Sequence, residues 1–263
     1  MSKPFLIYLT VAVVAVSLPI VPPSFAQSSG REVTVAAAAN LNDVFQVIGP
    51  QFEKATGIHP VFSFASTAQL ALQIEHGAPY DVFAAADVEH VGDLEKKGLL
   101  RSGSRAVYAT GILALWIPPG SSSVVNRLED LLQPSVKVIA LAKPELAPYG
   151  FAARETLQRA GLWDRLVPKI VYAENINMAR QYGASGNADA VFTAYSLVRK
   201  DTGKIIQVDE ALHNPIDQAL GIVAASPHQP EAAQFVQFLL RGKGRDILGD
   251  SGYSLPALAA AHR

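Results

Sequence analysis

From residue 32 onward the chain alternates between two patterns of apolar and polar positions. Short apolar runs are typical of buried strands, and longer stretches with an apolar residue every three or four positions are typical of amphipathic helices. In the first part of the chain this pattern predicts strands at 32–38, 59–64 and 81–85, and helices at 41–55, 68–76 and 87–97. A glycine follows each of these helices, which is a common way for a helix to end.

The pattern changes at residues 107–117, a long apolar segment that ends in Pro118-Pro119-Gly120. A second series follows, with strands predicted at 136–141, 169–172 and 188–193, helices at 151–160 and 175–182, a returning strand at 219–225 and a closing helix at 231–240. Such alternation indicates an α/β fold.

We therefore predict two α/β lobes joined by crossing strands, with a ligand cleft between them. Lobe I comprises residues 27–112 and 215–263, and lobe II comprises residues 113–214. In folds of this kind, ligands bind in the crevice beyond the carboxyl ends of the strands.

Residues 1–26 are predicted to be a secretory signal peptide. Lys3 supplies a positive charge, residues 5–20 form an apolar core, and Ser24-Phe25-Ala26 provides small residues around a cleavage site. An uncleaved membrane anchor is the alternative, but three prolines interrupt the apolar run before it reaches the roughly 20 residues that a spanning helix needs. We expect cleavage near Ala26-Gln27 and export to the periplasm.

Composition excludes several functional classes. The 263 residues carry a net charge of −1, so no broad basic field attracts nucleic acid. The absence of cysteine excludes disulfides, thiol catalysis, iron–sulfur clusters and cysteine-bound zinc. The six histidines lack the spacing of metal ligands, and neither G-x-S-x-G nor a phosphate-binding P-loop occurs.

We therefore expect no catalytic residues, no metal site and no cofactor. An exported hydrolase with Ser66 or Ser185 as its nucleophile remains a competing hypothesis. It is weakened because no histidine lies in either local sequence to activate the hydroxyl.

One stretch suggests an anion site. At Ala39-Asn40 the first predicted strand turns into a helix whose first residues are small and uncharged. A helix amino terminus has unpaired N–H groups and the positive end of the helix dipole, and both attract anions. Asn40 then either contacts an anion or only caps its own helix, and the sequence alone leaves both possibilities open.

Four segments in order resemble the molybdate-binding periplasmic proteins of ABC importers. They are VTVAAAANL, SFASTAQLALQIEHGAPYDVFAAAD, LAKPELAPYGFAARETLQRAGLWDRL and ASGNADAVF. The resemblance extends from Val33 to Leu255. It implies a type II periplasmic binding protein fold whose two lobes close on a tetrahedral oxyanion. It also implies a transient partner, an inner-membrane ABC permease, and we expect the protein itself to be a monomer.

The resemblance further implies which positions contact the anion. They are Ala39 and Asn40 after the first strand, Ser66 and Thr67 after the second, Tyr149 between a proline and a glycine, the backbone amide of Ile176 at the start of a helix, and Thr193 after a later strand.

Thr193 departs from the family pattern, because many relatives have a tyrosine at that position. We hypothesise that the phenolic hydroxyl of Tyr149 supplies the missing contact in addition to its backbone amide. The alternative is that the Tyr149 ring packs across the cleft and only its amide contacts the ligand. Tyr195 is a less favoured substitute.

The implied contacts are all uncharged, which suits molybdate or tungstate. Both are full dianions near neutral pH, so hydrogen-bond donors alone can bind them. A phosphate site needs a carboxylate to accept the remaining proton, and none occurs at these positions. Sulfate or a small organic anion remains an alternative ligand. Ferric iron is disfavoured because the adjacent tyrosine pair of iron-binding relatives is missing.

Overall fold

The computed structural model describes residues 31–257, so the predicted signal peptide lies outside the described residues. The strands are β1 (Glu32–Ala38), β2 (His59–Ala65), β3 (Val82–Ala84), β4 (Ala106–Gly111), β5 (Leu113–Ile117), β6 (Ile139–Ala142), β7 (Ile170–Ala173), β8 (Ala190–Ala194), β9 (Lys204–Gln207) and β10 (Ile216–Ile222). The helices are α1 (Asn42–Thr56), α2 (Thr67–Glu75), α3 (Glu89–Lys96), α4 (Pro148–Arg159), α5 (Trp163–Leu166), α6 (Ile176–Ala184), α7 (Tyr195–Val198), α8 (Gln229–Arg241) and α9 (Lys243–Asp250).

The first sheet has the strand order β2-β1-β3-β10-β4. Strand β1 pairs in parallel with β2 and β3, whereas β10 is antiparallel to β3 and β4. Apolar clusters cover both faces, because β1 alternates its buried side chains between them: Val35 packs with the α1 and α8 residues, and Ala36 with the α2 and α3 residues. The carboxyl ends of the parallel strands therefore meet at one edge, where α1 and α2 begin.

The second sheet has the strand order β7-β6-β8-β5-β9. Strand β6 pairs in parallel with β7 and β8, and β5 is antiparallel to β8 and β9. All residues of β5, β6 and β8 are buried, as expected for strands that are covered on both faces. Helices α4 and α6 follow the parallel strands β6 and β7 and begin at the same edge of the sheet.

Crossing strands connect the two sheets. Strands β4 and β5 are separated only by Ile112 yet belong to different sheets, and β10 returns from the second sheet to the first. The predicted α/β fold with two lobes and crossing strands is confirmed. Below, lobe I means the first sheet with its helices and lobe II the second sheet with its helices. The predicted lobe boundaries, 27–112 with 215–263 and 113–214, stay predictions.

Some predicted elements were wrong at their ends. The strand predicted from residue 136 begins only at Ile139, because the N–H groups of Lys137 and Val138 donate to the Asp189 carboxylate instead of a neighbouring strand. The helix predicted from residue 151 begins at Pro148, a position where a helix tolerates proline.

The short elements α5, α7 and β9 and the helix α9 were not predicted. Within residues 31–257, no helix is long and apolar enough to cross a membrane.

Candidate functional site

A small pocket lies between the two lobes, where the helix starts of both sheets face each other. Its lining consists of Ala38, Ala39, Asn40, Ser66, Thr67, Ala86, Ala147, Pro148, Tyr149, Asn175 and Ile176. None of these residues is charged. Six of the seven predicted contact residues are in this lining, and Thr193 is not.

Thr67 provides an oriented hydroxyl on the lobe I side. It is the first residue of α2 and is almost fully buried, and its Oγ1 accepts a hydrogen bond from the Ala86 N–H at 3.1 Å. Because this bond occupies an oxygen lone pair, the hydroxyl proton remains available to another acceptor. No acceptor for it occurs among residues 31–257, so Thr67 is suited to donate to a bound anion.

Ser66 precedes Thr67, and its hydrogen bonds connect it to lobe II. Both its N–H and its Oγ donate to Gln69 Oε1, at 3.3 and 2.7 Å. The Nε2 atom of Gln69 donates in turn to the Glu174 carboxylate of lobe II at 3.4 Å. The Ser66 hydroxyl proton is thus already used. Ser66 therefore lines the pocket at the start of α2 without a free hydroxyl donor.

Asn40 does not cap a helix. It lies in a short 3₁₀ turn before α1, and neither element has a side-chain cap. Its Nδ2 instead donates to Gln218 Oε1 at 2.9 Å and to the Tyr253 hydroxyl at 3.1 Å, while its Oδ1 is buried and has no partner among residues 31–257. The capping alternative is therefore wrong, and the side chain belongs to a polar network behind the pocket.

The lobe II side presents helix starts rather than polar side chains. Tyr149 and Ile176 lie in the first turns of α4 and α6, where backbone N–H groups have no carbonyl one turn earlier. Asn175 caps α6 by accepting from the Met178 N–H at 3.0 Å. Gly150 allows α4 to begin against β6, because a Cβ there would lie 2.1 Å from the Ala142 carbonyl oxygen.

The Tyr149 ring crosses from lobe II to lobe I. The side chain is 1% exposed, and its hydroxyl accepts a hydrogen bond from Gln218 Nε2 at 2.9 Å. Burial raises the pKa of Tyr149 well above its usual value, so the phenol stays neutral. This placement fits the alternative in which the ring packs across the cleft, and it does not support the hypothesis that the hydroxyl replaces the contact missing at Thr193.

Thr193 and Tyr195 are not brought to the pocket. Thr193 is fully buried in β8 opposite Ala114, and its Oγ1 has no hydrogen-bond partner among residues 31–257. Tyr195 begins α7 and lies beside Gly252. Neither side chain lines the space between the lobes.

Three contacts outside the pocket lining join the two lobes. The Ala68 N–H donates to the Leu146 carbonyl at 3.2 Å across the cleft. A second contact between the lobes is the ion pair of Arg180 of α6 with Asp43 of α1 at 3.2 Å. Together with the Gln69–Glu174 hydrogen bond, these contacts place the lobes in a closed arrangement.

Comparison with known proteins identifies the chain. A profile described as bacterial extracellular solute-binding protein matches residues 33–254, nearly the whole described part. This chain belongs to the bacterial extracellular solute-binding protein family.

Relatives of this solute-binding protein include two named molybdate-binding protein ModA. The one from Azotobacter vinelandii is 38% identical over 87% of this chain and 92% of its own length, and the one from Rhodobacter capsulatus is 32% identical over 86% and 89%. The solved Azotobacter vinelandii periplasmic molybdate-binding protein superposes with a TM-score of 0.82 at 33% identity, covering 86% of this chain and 100% of that structure.

The predicted family resemblance, including the two-lobed type II fold, is confirmed. The prediction that this solute-binding protein is not an enzyme is also confirmed, because these relatives are binding proteins. Ser185 donates to the Tyr182 carbonyl rather than to a histidine, and Ser66 donates to Gln69.

Sequence reasoning missed three residues that build the site. Asn175 lines the pocket, and Gln218 and Tyr253 bind the Asn40 side chain. A signal existed only for Gln218, a polar residue inside the apolar run IDQALGI that forms β10. A buried polar side chain in such a strand needs hydrogen-bond partners.

Proposed function

We propose that this protein binds molybdate, and tungstate with it, in the pocket between its lobes. The main support for the proposal is an uncharged pocket lined by the starts of three α-helices and one 3₁₀ turn. Each helix start offers unpaired N–H donors and the positive end of a dipole, so the pocket stabilises negative charge without a basic side chain. The molybdate-binding relatives point to the same ligand.

The donor set also favours a full dianion over an ion that carries a proton. Hydrogen bonds to a charged group contribute about 1.5–3 kcal/mol each, so several donors offset the desolvation of the ion. No carboxylate lines the pocket to accept a proton from hydrogen phosphate. Discrimination against the smaller sulfate dianion then depends on how well the closed lobes fit the larger ion.

The cellular role that fits this site is capture and delivery. We infer that the protein is exported to the periplasm, acts as a monomer, and passes its ligand to an ABC permease in the inner membrane for uptake. A periplasmic relative of known structure supports this role, as does the signal-like sequence of residues 1–26. No nucleic acid partner and no cofactor enter the proposal.

Calorimetric titration of the ligand-stripped chain from residue 27 tests the proposed function. We expect strong binding of molybdate and tungstate and far weaker binding of sulfate and phosphate. Molybdate should also raise Tm, because a ligand that binds only the folded protein adds RT ln(1 + [L]/Kd) to its stability. Equal affinity for sulfate and molybdate, or an unchanged Tm in excess molybdate, would contradict the assignment.

A further inference from the structure

A buried network of amides and phenols lies behind the pocket. Gln218 of β10 is at its centre and is fully buried. Its Oε1 lies 2.9 Å from Asn40 Nδ2 and 2.8 Å from the Tyr108 hydroxyl, and its Nε2 lies 2.9 Å from the Tyr149 hydroxyl. The Tyr253 hydroxyl completes the group by donating to the Asn40 carbonyl at 2.8 Å. The network therefore joins a pocket residue of lobe I to a tyrosine of lobe II.

The donors and acceptors of this arrangement do not match. The Tyr108 hydroxyl has one proton but two acceptors at 2.8 Å, Gln218 Oε1 and the Ala85 carbonyl. The Tyr149 hydroxyl accepts from Gln218 and donates to no group among residues 31–257. Asn40 Oδ1, a buried acceptor on a pocket-lining residue, has no partner in the same range. An unpaired acceptor at an anion pocket is unfavourable, because it repels the ligand.

Rotating both side-chain amides by 180° exchanges oxygen and nitrogen in place and resolves the mismatches at Tyr108, Tyr149 and Asn40 Oδ1. Gln218 Oε1 then accepts from Tyr149, while Gln218 Nε2 donates to Asn40 Oδ1 and to Tyr108. Tyr108 keeps one acceptor, the Ala85 carbonyl. One mismatch moves to the Tyr253 hydroxyl, whose single proton then has two acceptors, the Asn40 carbonyl at 2.8 Å and Asn40 Oδ1 at 3.1 Å. The only group then without any protein partner is Asn40 Nδ2, which occupies the buried position. That group is a donor, which an anion in the pocket can pair.

We propose that Gln218 is a positioning residue for the anion: its rotated amide binds Asn40 Oδ1 and thereby directs the Asn40 Nδ2 donor at the ligand. Gln218 does not contact the ligand itself, since it is absent from the pocket lining. The inference rests on the proposed function, because it assumes an anion in this pocket.

The same network depends on closure of the lobes. Tyr149 comes from lobe II, and its hydroxyl reaches Gln218 only because Gly111 leaves space where the strands cross. A Cβ at Gly111 would lie 2.1 Å from the Tyr149 hydroxyl oxygen and 2.5 Å from Gln218 Nε2. When the lobes close, Tyr149 therefore supplies the proton that holds Gln218 in the rotated state. Ligand contact at Asn40 and contact between the lobes are coupled through one amide.

A double-mutant cycle on molybdate affinity tests this inference. The variants are Gln218→Met, which keeps the length of the side chain and removes its amide, Asn40→Ala, and the double variant. We expect Gln218→Met to weaken molybdate binding about tenfold when Asn40 is present, because the donor is no longer directed. In the Asn40→Ala background the same change should alter affinity by less than about twofold, since no donor remains to be positioned. Gln73→Met, an exposed glutamine on α2, is the matched control and should bind as the wild type does.

The outcomes separate the inference from the function on which it rests. If the wild type binds molybdate and Gln218→Met loses the same factor in both backgrounds, Gln218 acts independently of Asn40 and the inference is overturned. If the wild type binds no molybdate, the proposed function itself fails. Should Gln218→Met not fold, Tyr149→Phe in the two backgrounds replaces it. That change should cost about threefold with Asn40 present and nothing without it, and equal losses overturn the inference.

Discussion

The two sides of the pocket present different kinds of donor. On the lobe I side, Thr67 offers a hydroxyl that the Ala86 N–H orients, and Asn40 offers a side-chain amide donor in the rotated arrangement that we propose. On the lobe II side, Tyr149 and Ile176 offer first-turn backbone N–H groups, while the polar atom of the Tyr149 side chain lies at Gln218. Backbone N–H groups of lobe II can donate to an anion whatever side chains those residues have. Donation from lobe I instead requires particular side chains.

The comparison is tested most severely by adding a charge on the lobe I side. Asn40→Asp keeps the shape of the side chain but places a carboxylate in a pocket without charged lining. Two like charges in a partly desolvated site repel strongly, so we expect molybdate affinity to fall by about a hundredfold or more. Titration calorimetry measures the loss, with the exposed Asn187→Asp as the control. A loss below about tenfold would show that Asn40 lies farther from the ligand than we propose.

A paired substitution compares the two sides directly. Thr67→Val removes a hydroxyl and keeps the shape, so we expect molybdate affinity to fall about tenfold or more. Ile176→Val shortens a side chain whose backbone N–H is the donor, and it should change affinity by less than about twofold. The difference between the two dissociation constants is the measurement. Equal effects would remove the distinction between side-chain and main-chain recognition.

Tyr149→Phe separates the phenol from the backbone amide of the same residue. The hydroxyl lies at Gln218, so we expect only an indirect loss of about threefold in molybdate affinity. A direct ligand contact would instead cost roughly ten- to a hundredfold. Affinity measured on the variant and the wild type decides between the two, and a large loss would restore the hypothesis that the phenol binds the anion.

The smallest expected effect concerns pH. Burial raises the pKa of Tyr253 from 10.0 to about 12. Since folding favours the protonated phenol, its stabilising contribution is complete below pH 10 and is lost as the pH rises toward 12. Urea unfolding at several pH values in this range should therefore show a smaller decline in the free energy of unfolding for Tyr253→Phe than for the wild type. Equal declines in the free energy of unfolding for the variant and the wild type would contradict the raised pKa of Tyr253.

The sequence predicted the lobe I side of the site better than its supporting residues. Strand β1 was predicted with the bounds that the structure gives, because apolar periodicity and a following helix pattern mark such a strand clearly. Gly57 has a φ of 70°, as expected for a glycine that ends a helix. These features are local, so neighbouring residues are enough to specify them.

Features that depend on distant parts of the chain were not predictable. The Asn40–Gln218 contact joins residues 178 positions apart, and no local pattern indicates which polar residue in β10 faces which strand. Thr193 was placed at the site by the family resemblance alone, and the structure shows its side chain inside the lobe II sheet. The start of α4 at Pro148 was missed because proline more often signals the end of a helical pattern than its beginning.

The contacts that close the cleft have a kinetic consequence. The Ala68–Leu146 hydrogen bond and the Arg180–Asp43 ion pair join the lobes at residues outside the pocket lining. An enclosed ion can leave only after such contacts break, so its residence time depends on residues that never touch it. Substitutions at these contacts can therefore change the rates of capture and release while the recognition of the ion stays the same.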